Sequence, residues 1–419
     1  MSNTENHPPR LLFWGLLVIA QIGAFLLFKD LADLSQWLIQ SEREFTMFVW
    51  YNRWIITAIT AITLAGYLLV WFRNRSLLNG KLLVLLTFLC LFNVYAGMFN
   101  THLMFRAQDE PGSATFVPVS EAAEYLEKMF HASYEKPQFE SVDEISVLVL
   151  ETDQGARAYT DYYMLQPHVI EGGSVGGEEV IMTYCGLTNM GIAYSPVIDG
   201  QKLNLRAVNQ LRNNLLMADA NTGEPVQQIW GTLERDGEKG PAMKQWPTVR
   251  MPFGTFRQLY PNGEVYVNNI EQNDNPIIRF FDRTIRDGVM VHAVRTLQWQ
   301  TDEPAFPTIK EFDDRLPRKK LVYGINIGDD YVAYTKEFVA EHGGLLNVSI
   351  GGQAVVVYYD QQMDSLTAFY NATGNAISQV DLFGQSDQGQ LNRVETLKSG
   401  IFWFIWYDFY KQTDVNRLS

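Results

Sequence analysis

The sequence predicts three N-terminal transmembrane α-helices followed by a mainly β soluble domain, with minor α-structure, that is built from two diverged repeats. Long apolar runs lie within the first 105 residues of the 419-residue chain. Beyond about residue 136, short segments rich in β-branched and aromatic residues are bounded by Gly, Asp and Asn turns, a pattern typical of antiparallel sheets. Short motifs also recur at a fixed separation, which indicates duplication.

Three apolar runs predict the membrane helices: Leu11–Phe28, Trp54–Phe72 and Leu82–Phe105, which contain no acidic or basic residue apart from His102. Each run approaches or exceeds the roughly 20 residues that span a bilayer core. A cleaved signal peptide is the alternative for the first run, but no small-x-small cleavage site follows it. Residues 1–105 are therefore assigned to a membrane domain whose partner is the lipid bilayer.

Basic residues in the short loops predict the orientation, because Lys and Arg are retained preferentially on the cytoplasmic side of a membrane. The loop between the second and third runs carries Arg73, Arg75 and Lys81 without an acidic residue, whereas the first loop is mixed in charge. The N-terminus is then cytoplasmic, and the chain after about residue 105 lies on the outer face. We expect a protein of the bacterial inner membrane whose larger part is periplasmic or extracellular.

The negative charge of the chain lies in its second part. Residues 1–100 carry seven basic and five acidic residues, and the remaining residues carry 26 basic and 42 acidic ones, a net charge of −16. Such an acidic surface argues against nucleic acid and anionic lipid as partners of this part. One of the two cysteines, Cys90, lies in the third apolar run and the other, Cys185, in the soluble part, so no disulfide is predicted.

The soluble part begins with a predicted linker, which includes Phe116-Val117-Pro118, and a short helix capped by Ser120. Strands are predicted further on, for example over Glu179–Tyr184 and Ala354–Tyr359, because both segments are rich in β-branched or aromatic residues. Another strand is predicted over Gly288–Leu297. Mainly antiparallel β-structure follows from these patterns.

The duplication is indicated by motifs that keep a constant spacing. Ala158-Tyr159-Thr160 recurs as Ala333-Tyr334-Thr335, and Gly176-Gly177 recurs as Gly351-Gly352, in both cases 175 positions later. A gapless offset of this kind is typical of a duplicated supersecondary unit.

A second correspondence closes each unit. Met251–Pro261 resembles Ile401–Lys411 at an offset of 150, so the first unit holds about 25 residues that the second lacks. The aromatic run Ile401–Tyr407 is too short to cross a membrane and is predicted to be a buried strand or helix end. The resulting segments are a linker with a short helix, a first β-rich repeat, a connection and a second β-rich repeat, over residues 106–136, 137–270, 271–320 and 321–419.

A series of motifs, most of them between residues 140 and 270, follows a known order and spacing. The motifs are Ala156-Arg157-Ala158-Tyr159, His168, Gly176-Gly177, Thr183-Tyr184-Cys185, Asp199-Gly200, Asn213, Met217, Asp219, Thr222-Gly223, Gly240-Pro241 and the Phe402–Tyr410 tail. Together they resemble the family named domain of unknown function 3179, over roughly the whole soluble part. That family has no established function, so the resemblance implies no activity.

The chain departs from this family pattern after one strand. Members commonly show a Cys-Pro-x-Cys stretch, whereas this chain has Cys185-Gly186-Leu187-Thr188. The second sulfur that a soft-metal site or dithiol chemistry requires is therefore missing. Neither a metal nor another cofactor is predicted.

An enzyme is one of two functional hypotheses. Cys185 would be the nucleophile of an acyl-transfer reaction in the cell envelope and His168 its base, because a thiol needs a base to become a thiolate near neutral pH. A hairpin between the two strands could bring these residues together. The structural alternative is that Cys185 is a small buried apolar residue and that His168 belongs to a turn.

A membrane-anchored binding or scaffold module is the hypothesis that the sequence favours, because it requires no reactive group. Its ligand would be a small polar molecule such as a sugar or a peptide, or another envelope protein. Each candidate side chain also has a structural explanation, as an ion pair, a turn or part of the core. The candidate ligand-binding residues are Arg157, Tyr159, Tyr184, Asn213, Asp219, Gln228 and Trp230.

Overall fold

The chain forms two compact units, one with the N-terminal helices and one with the strands. The predicted strand over Gly288–Leu297 and the part of the third apolar run beyond Met98 lie outside the described residues. The structure, a computed structural model, describes residues 8–32, 35, 39, 42–98, 115–133, 141–161, 163–165, 167–267 and 301–418.

The N-terminal unit contains three helices that are long and apolar enough to cross a membrane: α1 (Pro8–Leu31), α2 (Arg43–Arg73) and α3 (Gly80–Met98). The three predicted spans are confirmed in this sense. Close packing of α1 against α3 requires a glycine, since a Cβ at Gly97 would lie 2.3 Å from the carbonyl oxygen of Leu27.

The second unit is β-rich and is arranged like a five-bladed propeller. Blade 1 contains, in spatial order, β1 (Thr115–Pro118), β15 (Glu264–Val267), β3 (Gly155–Thr160), β2 (Ser146–Thr152) and β14 (Val249–Pro252). Blade 2 contains β13 (Gln245–Trp246), β6 (Met190–Tyr194), β5 (Glu178–Cys185) and β4 (Val169–Val175). Blade 3 contains β12 (Thr232–Leu233), β11 (Pro225–Gln227), β10 (Asn214–Asp219) and β9 (Leu205–Leu211).

The other two blades come from the C-terminal part of the chain. Blade 4 contains β24 (Lys398–Phe402), β16 (Leu321–Ile327), β17 (Asp330–Tyr334) and β25 (Asp414–Val415). Blade 5 contains β18 (Leu345–Ile350), β19 (Gln353–Asp360), β20 (Ser365–Tyr370) and β23 (Asn392–Arg393). Two small hairpins are β7–β8 (Val197–Ile198, Gln201–Lys202) and β21–β22 (Gln385–Ser386, Gly389–Gln390). The α-helices among the described residues of this unit are α4 (Val119–Ser133), α5 (Phe253–Leu259), α6 (Lys336–Glu341) and α7 (Trp403–Phe409).

Several local predictions are confirmed. The predicted strands Glu179–Tyr184 and Ala354–Tyr359 lie within β5 and β19, which pair with antiparallel neighbours on both sides. The turn between β18 and β19 is made by Gly351-Gly352 with φ of +57° and +74°, a conformation that glycine adopts at little steric cost. The run Ile401–Tyr407 forms the end of β24 and most of α7, and it is buried as predicted.

The predicted linker is wrong at Phe116-Val117-Pro118, because these residues belong to β1. The strand pairs antiparallel with β15, and Phe116 lies opposite Tyr266. Pro118 is tolerated because it lies on an edge strand, where a missing amide breaks no ladder. The pairing partner is about 150 positions away along the chain, a distance at which local sequence patterns carry no signal.

Elements of blades 1 and 2 correspond in position to elements of blades 4 and 5. The bounds of β5 and β19 differ by 175 positions, and those of α5 and α7 differ by 150. A short parallel strand also occurs in both blade 1 and blade 4. In β15 of blade 1, Val265 lies opposite Ala158 of β3, and in β25 of blade 4, Val415 lies opposite Ala333 of β17.

A buried guanidinium on β14 connects three of the blades. Arg250 donates from Nη1 to Ser146 Oγ in blade 1 at 2.9 Å and to Asp161 Oδ1, directly after β3 of the same blade, at 3.1 Å. Its Nη2 donates to the carbonyl oxygen of Asn189, next to blade 2, at 2.9 Å, and its Nε to that of Ser399 in blade 4 at 3.1 Å. Because these donors satisfy acceptors in several sheets, the side chain fixes the sheets relative to one another.

The same arginine lies against a glycine that has no room for a side chain. A Cβ at Gly400 would lie 2.9 Å from Arg250 Cδ and Nε, and Gly400 has a φ of +76°. The glycine carbonyl accepts a hydrogen bond from Asn189 Nδ2 at 2.8 Å. Blade 5 joins this cluster through Ser365, whose hydroxyl donates to the Arg250 carbonyl oxygen at 3.2 Å.

Candidate functional site

A cleft of about 550 Å³ lies among parts of blades 2, 3, 4 and 5. Its volume falls within the roughly 300–1,000 Å³ range of small-molecule sites. The wall is assembled from residues that are far apart in the chain, including Trp230, Trp246, Asn326 and Arg393. Such a cleft exists only when the blades have come together.

Aromatic side chains form one part of the wall. Trp230 packs edge-to-face on Phe409 with ring centroids 5.2 Å apart. Trp246 is held by a hydrogen bond from its Nε1 to Ser195 Oγ at 2.9 Å. Tyr410 also lines the cleft and follows α7 as its C-terminal cap. These contacts keep large rings in fixed positions, as a preformed site requires.

The two basic side chains of the wall are already paired. Lys244 Nζ lies 2.6 Å from Glu178 Oε1 and 3.9 Å from the centre of the Trp246 ring. Arg393 Nη1 lies 2.5 Å from Glu151 Oε2, and its Nη2 donates to the Leu382 carbonyl. Both partner carboxylates belong to residues outside the wall.

The two acidic side chains of the wall, Glu238 and Glu395, have hydroxyl partners instead. Burial together with the neighbouring carboxylate of Glu238 raises the pKa of the Tyr331 hydroxyl. Glu395 Oε1 accepts from the Tyr370 hydroxyl at 3.2 Å. Within the described parts of the chain, neither carboxylate forms an ion pair.

A buried lysine lies directly behind the wall. Lys398 has no exposed surface, and its Nζ donates to Gln245 Oε1 at 2.6 Å and to the Thr396 carbonyl at 3.2 Å. Both acceptor residues line the cleft. Burial lowers the pKa of Lys398 to about 7, although the charge of Glu395 acts in the opposite direction. The amine therefore changes its protonation state near neutral pH.

Three polar atoms of the wall are buried without a hydrogen bond to any residue that the structure describes: Asn326 Oδ1, Arg393 Nε and Thr396 Oγ1. A buried polar atom without a partner costs roughly 1–3 kcal/mol of stability. A ligand with polar groups could supply the missing partners, so these atoms are suited to binding.

Of the seven residues predicted from the sequence to bind a ligand, Trp230 lines this cleft. Three others take part in contacts elsewhere. Arg157 Nε lies 3.2 Å from Glu264 Oε2. Asp219 accepts from the Asn204 amide at 2.8 Å and from the Thr222 hydroxyl at 2.7 Å. Gln228 is fully buried and donates to Thr183 Oγ1 at 3.0 Å.

The remaining three predicted residues are buried. Tyr159 and Asn213 have no exposed surface, and Tyr184 is nearly buried with its hydroxyl 3.2 Å from Asn189 Oδ1. The structure thus separates the seven residues rather than collecting them around one cavity. Their role in ligand binding stays a prediction.

Cys185 and His168 lie on neighbouring segments of blade 2. The Tyr184 amide donates to the His168 carbonyl, and His168 Nδ1 lies 3.0 Å from the Tyr184 carbonyl oxygen. His168 is thus opposite Tyr184, and successive residues of a strand point to opposite faces, so Cys185 points to the face away from His168. Loss of solvation lowers the pKa of His168 to about 4, while backbone hydrogen bonds act in the opposite direction.

The thiol of Cys185 is 3 % exposed, and its Sγ lies 3.9 Å from the Asn213 carbonyl oxygen. Burial raises the pKa of this thiol, which disfavours the thiolate at neutral pH. The pairing of nucleophile and base stays a prediction that these surroundings do not favour.

Sequence reasoning missed Glu238, Gln245, Glu395 and Lys398. One signal for Lys398 was available: it is a basic residue three positions before a predicted buried run that begins at Ile401. A charged side chain in such a position is rarely buried unless it is paired or functional.

Comparison with known proteins gives one match. A family model described as "Protein of unknown function (DUF3179)" matches residues 129–413, more than half of the chain, which confirms the resemblance carried by the motifs. No curated protein and no solved structure matches the chain.

Proposed function

Because the chain belongs to the DUF3179 family of proteins of unknown function, we propose its function from its own cleft: a membrane-anchored module that binds a small polar ligand. The cleft of about 550 Å³ is the observation that carries this proposal. Its wall combines large rings with unpartnered polar atoms, the usual composition of a ligand site. In the scaffold version of this hypothesis, the module binds another envelope protein.

We propose further that α1–α3 anchor the protein in a bacterial inner membrane, with the N-terminus in the cytoplasm and the β-rich unit on the outer side. The proposal is supported by the three apolar helices and by the basic loop between α2 and α3. The ligand would then come from the periplasm or the cell exterior.

We also propose that the β-rich unit arose by duplication, with one copy over residues 137–270 and the other over residues 321–419. Support comes from the equal offsets of β5 and β19 and of α5 and α7. Blade 3 lies in the stretch where the first copy is longer, which accounts for an odd number of blades. A sequence profile of the first half that fails to match the second half in other family members would overturn this proposal.

Filling the cleft is expected to weaken ligand binding. Ala242 lines the cleft and is exposed, so Ala242→Trp occupies its volume without disturbing the core. The measurement is a ligand-observed NMR screen of amino-acid amides, monosaccharides and nucleosides against the full chain in lipid nanodiscs. Compounds that bind the wild type are expected to lose about tenfold in affinity on the variant.

The matched control is Ala376→Trp, the same change at an exposed alanine outside the cleft. This variant should bind like the wild type. Compounds that bind Ala242→Trp as well as the wild type, or a screen without any binding, would contradict the proposed function.

An envelope enzyme of the acyl-transfer type, with Cys185 as nucleophile and His168 as base, is the second candidate. The observation in its favour is that the two residues lie on paired segments of blade 2. The burial of the thiol works against it. Thiol labelling separates the two candidates and also tests the orientation.

In a Cys90→Ala background, a cysteine introduced at exposed Ala372 is expected to react with a membrane-impermeant maleimide on intact bacterial cells. Native Cys185 is expected to stay unmodified until the protein is unfolded, because its sulfur is buried. Mass spectrometry of the purified chain gives both results. Labelling at position 372 only after cell lysis would contradict the outward orientation, and rapid labelling of native Cys185 would favour the enzyme.

A further inference from the structure

We infer that the cleft selects a cationic ligand, a protonated or quaternary amine. The inference rests on the proposed ligand-binding function and adds the chemical class of the ligand. It follows from the signs of the charges around the cleft, from which of them are already neutralised, and from the aromatic part of the wall.

The positive charges of the two basic side chains of the wall are already compensated by carboxylates, although Arg393 keeps one unpartnered donor, its Nε. Lys244 and Arg393 each lie within 2.6 Å of a carboxylate oxygen, from Glu178 and Glu151 respectively. An anionic ligand would have to displace one of these carboxylates or share its cation. Each pair therefore contributes close to zero net charge to the cleft.

The acidic side chains of the wall, in contrast, form no ion pair within the described part of the chain. Glu395 accepts a hydrogen bond from the Tyr370 hydroxyl, and Glu238 lies beside the Tyr331 hydroxyl, and neither of these neutral groups cancels a carboxylate charge. Two negative charges then face a cavity that is partly shielded from solvent, where electrostatic attraction is stronger than in water. An ammonium group is the ligand that compensates them.

Lys398 does not reverse this sign. Its amine is hydrogen-bonded to Gln245 and Thr396, which lie between it and the cavity. The lowered pKa of about 7 leaves the amine largely neutral above that pH. Even when it is protonated, one positive charge faces two carboxylates.

The aromatic rings of the wall and the negative net charge of the unit also favour a cationic ligand. The ammonium of Lys244 lies 3.9 Å from the centre of the Trp246 ring, so an aromatic face of this wall already holds a cation. The ring of Trp230 also lines the cleft, whereas that of Tyr410 is packed against Tyr331 and Trp406. The net charge of −16 on the chain after residue 100 attracts cations over longer distances.

Three matched probes test the inference on the full chain in lipid nanodiscs, with dissociation constants measured by NMR titration. The probes are the methylamides of Nα-acetyl-lysine, Nα-acetyl-norleucine and Nα-acetyl-glutamate, which carry a cationic, a neutral and an anionic side chain. The lysine amide is expected to bind at least about tenfold more tightly than the other two. Pentylamine carries the ammonium group without the peptide groups. Its binding distinguishes a free amine from the side chain of a peptide as the source of the ammonium group.

Variants locate the binding. Glu238→Gln and Glu395→Gln are each expected to weaken binding of the lysine amide by about five- to tenfold. The control is Glu341→Gln, the same change at an exposed residue of α6 outside the cleft, which should leave binding unchanged. Unchanged unfolding midpoints show that the variants are folded, and two separate glutamates keep the test valid if one variant does not fold.

The outcomes separate the class of ligand from the existence of a site. Equal binding of the lysine and norleucine amides, tighter binding of the glutamate amide, or binding that both glutamine variants leave unchanged would overturn the cationic class. If Ala242→Trp still removed the binding of neutral compounds, the proposed function would stand. Failure of all probes together with an empty screen would overturn both.

Discussion

Replacing Arg250 by methionine is expected to destabilise the β-rich unit by about 4 kcal/mol. The side chain is 4 % exposed, and its guanidinium bonds to Ser146, Asp161, Asn189 and Ser399. Methionine fills a similar volume but donates no hydrogen bond. Asp161 would lose its cation, and two carbonyl oxygens would be left without a donor.

The expected loss can be measured on the purified full chain in detergent micelles by tryptophan fluorescence during heating. For a domain of this size, 4 kcal/mol corresponds to a drop of roughly 8 °C in the unfolding midpoint. The matched control is Arg257→Met. Its ion pair with Asp143 is 2.7 Å long, but both side chains are 48 % exposed, so the loss should stay below about 1 kcal/mol. Similar midpoints for the two variants would contradict the central role of Arg250.

Lys398 is expected to make the free energy of unfolding vary with pH in the alkaline range. In the folded state its pKa is about 7, against 10.5 for the free side chain, because burial disfavours the charged amine. Between these two values the unfolded chain holds one more proton than the folded chain. The free energy of unfolding therefore rises with pH in this window, by about 1.4 kcal/mol per pH unit.

Lys398→Met removes this dependence. Between about pH 7.5 and 9.5, the wild type is expected to gain about 2.5 kcal/mol relative to the variant. The measurement is chemical denaturation of both proteins across this pH range. Lys202→Met, at a side chain that is 64 % exposed, should follow the wild type. Parallel curves for the wild type and Lys398→Met would show that the buried amine keeps an ordinary pKa.

Local patterns in the sequence predicted the elements whose determinants are local. The strands at Glu179–Tyr184 and Ala354–Tyr359 follow from their residue types, and the turn at Gly351-Gly352 follows from the freedom of glycine. The apolar runs predicted three long helices for the same reason. β1 could not be predicted, because Phe116 becomes part of a strand only by pairing with the distant strand β15, where it lies opposite Tyr266.

The candidate site could be predicted only at Trp230. Its other components come from separate blades: Gln245 from blade 2, Asn326 from blade 4 and Glu395 next to blade 5. No spacing in the sequence connects such residues. The polar residues chosen from the sequence, such as Asp219 and Gln228, instead satisfy buried polar atoms within their own surroundings.

Gly400 stands 150 positions after Arg250, the offset that also separates α5 from α7, and the two residues touch. An arginine at both positions would place two guanidiniums in a space that holds one. The two positions therefore cannot both carry an arginine. We expect substitutions at these two positions to be inherited together, since a larger side chain at position 400 requires a smaller one at position 250.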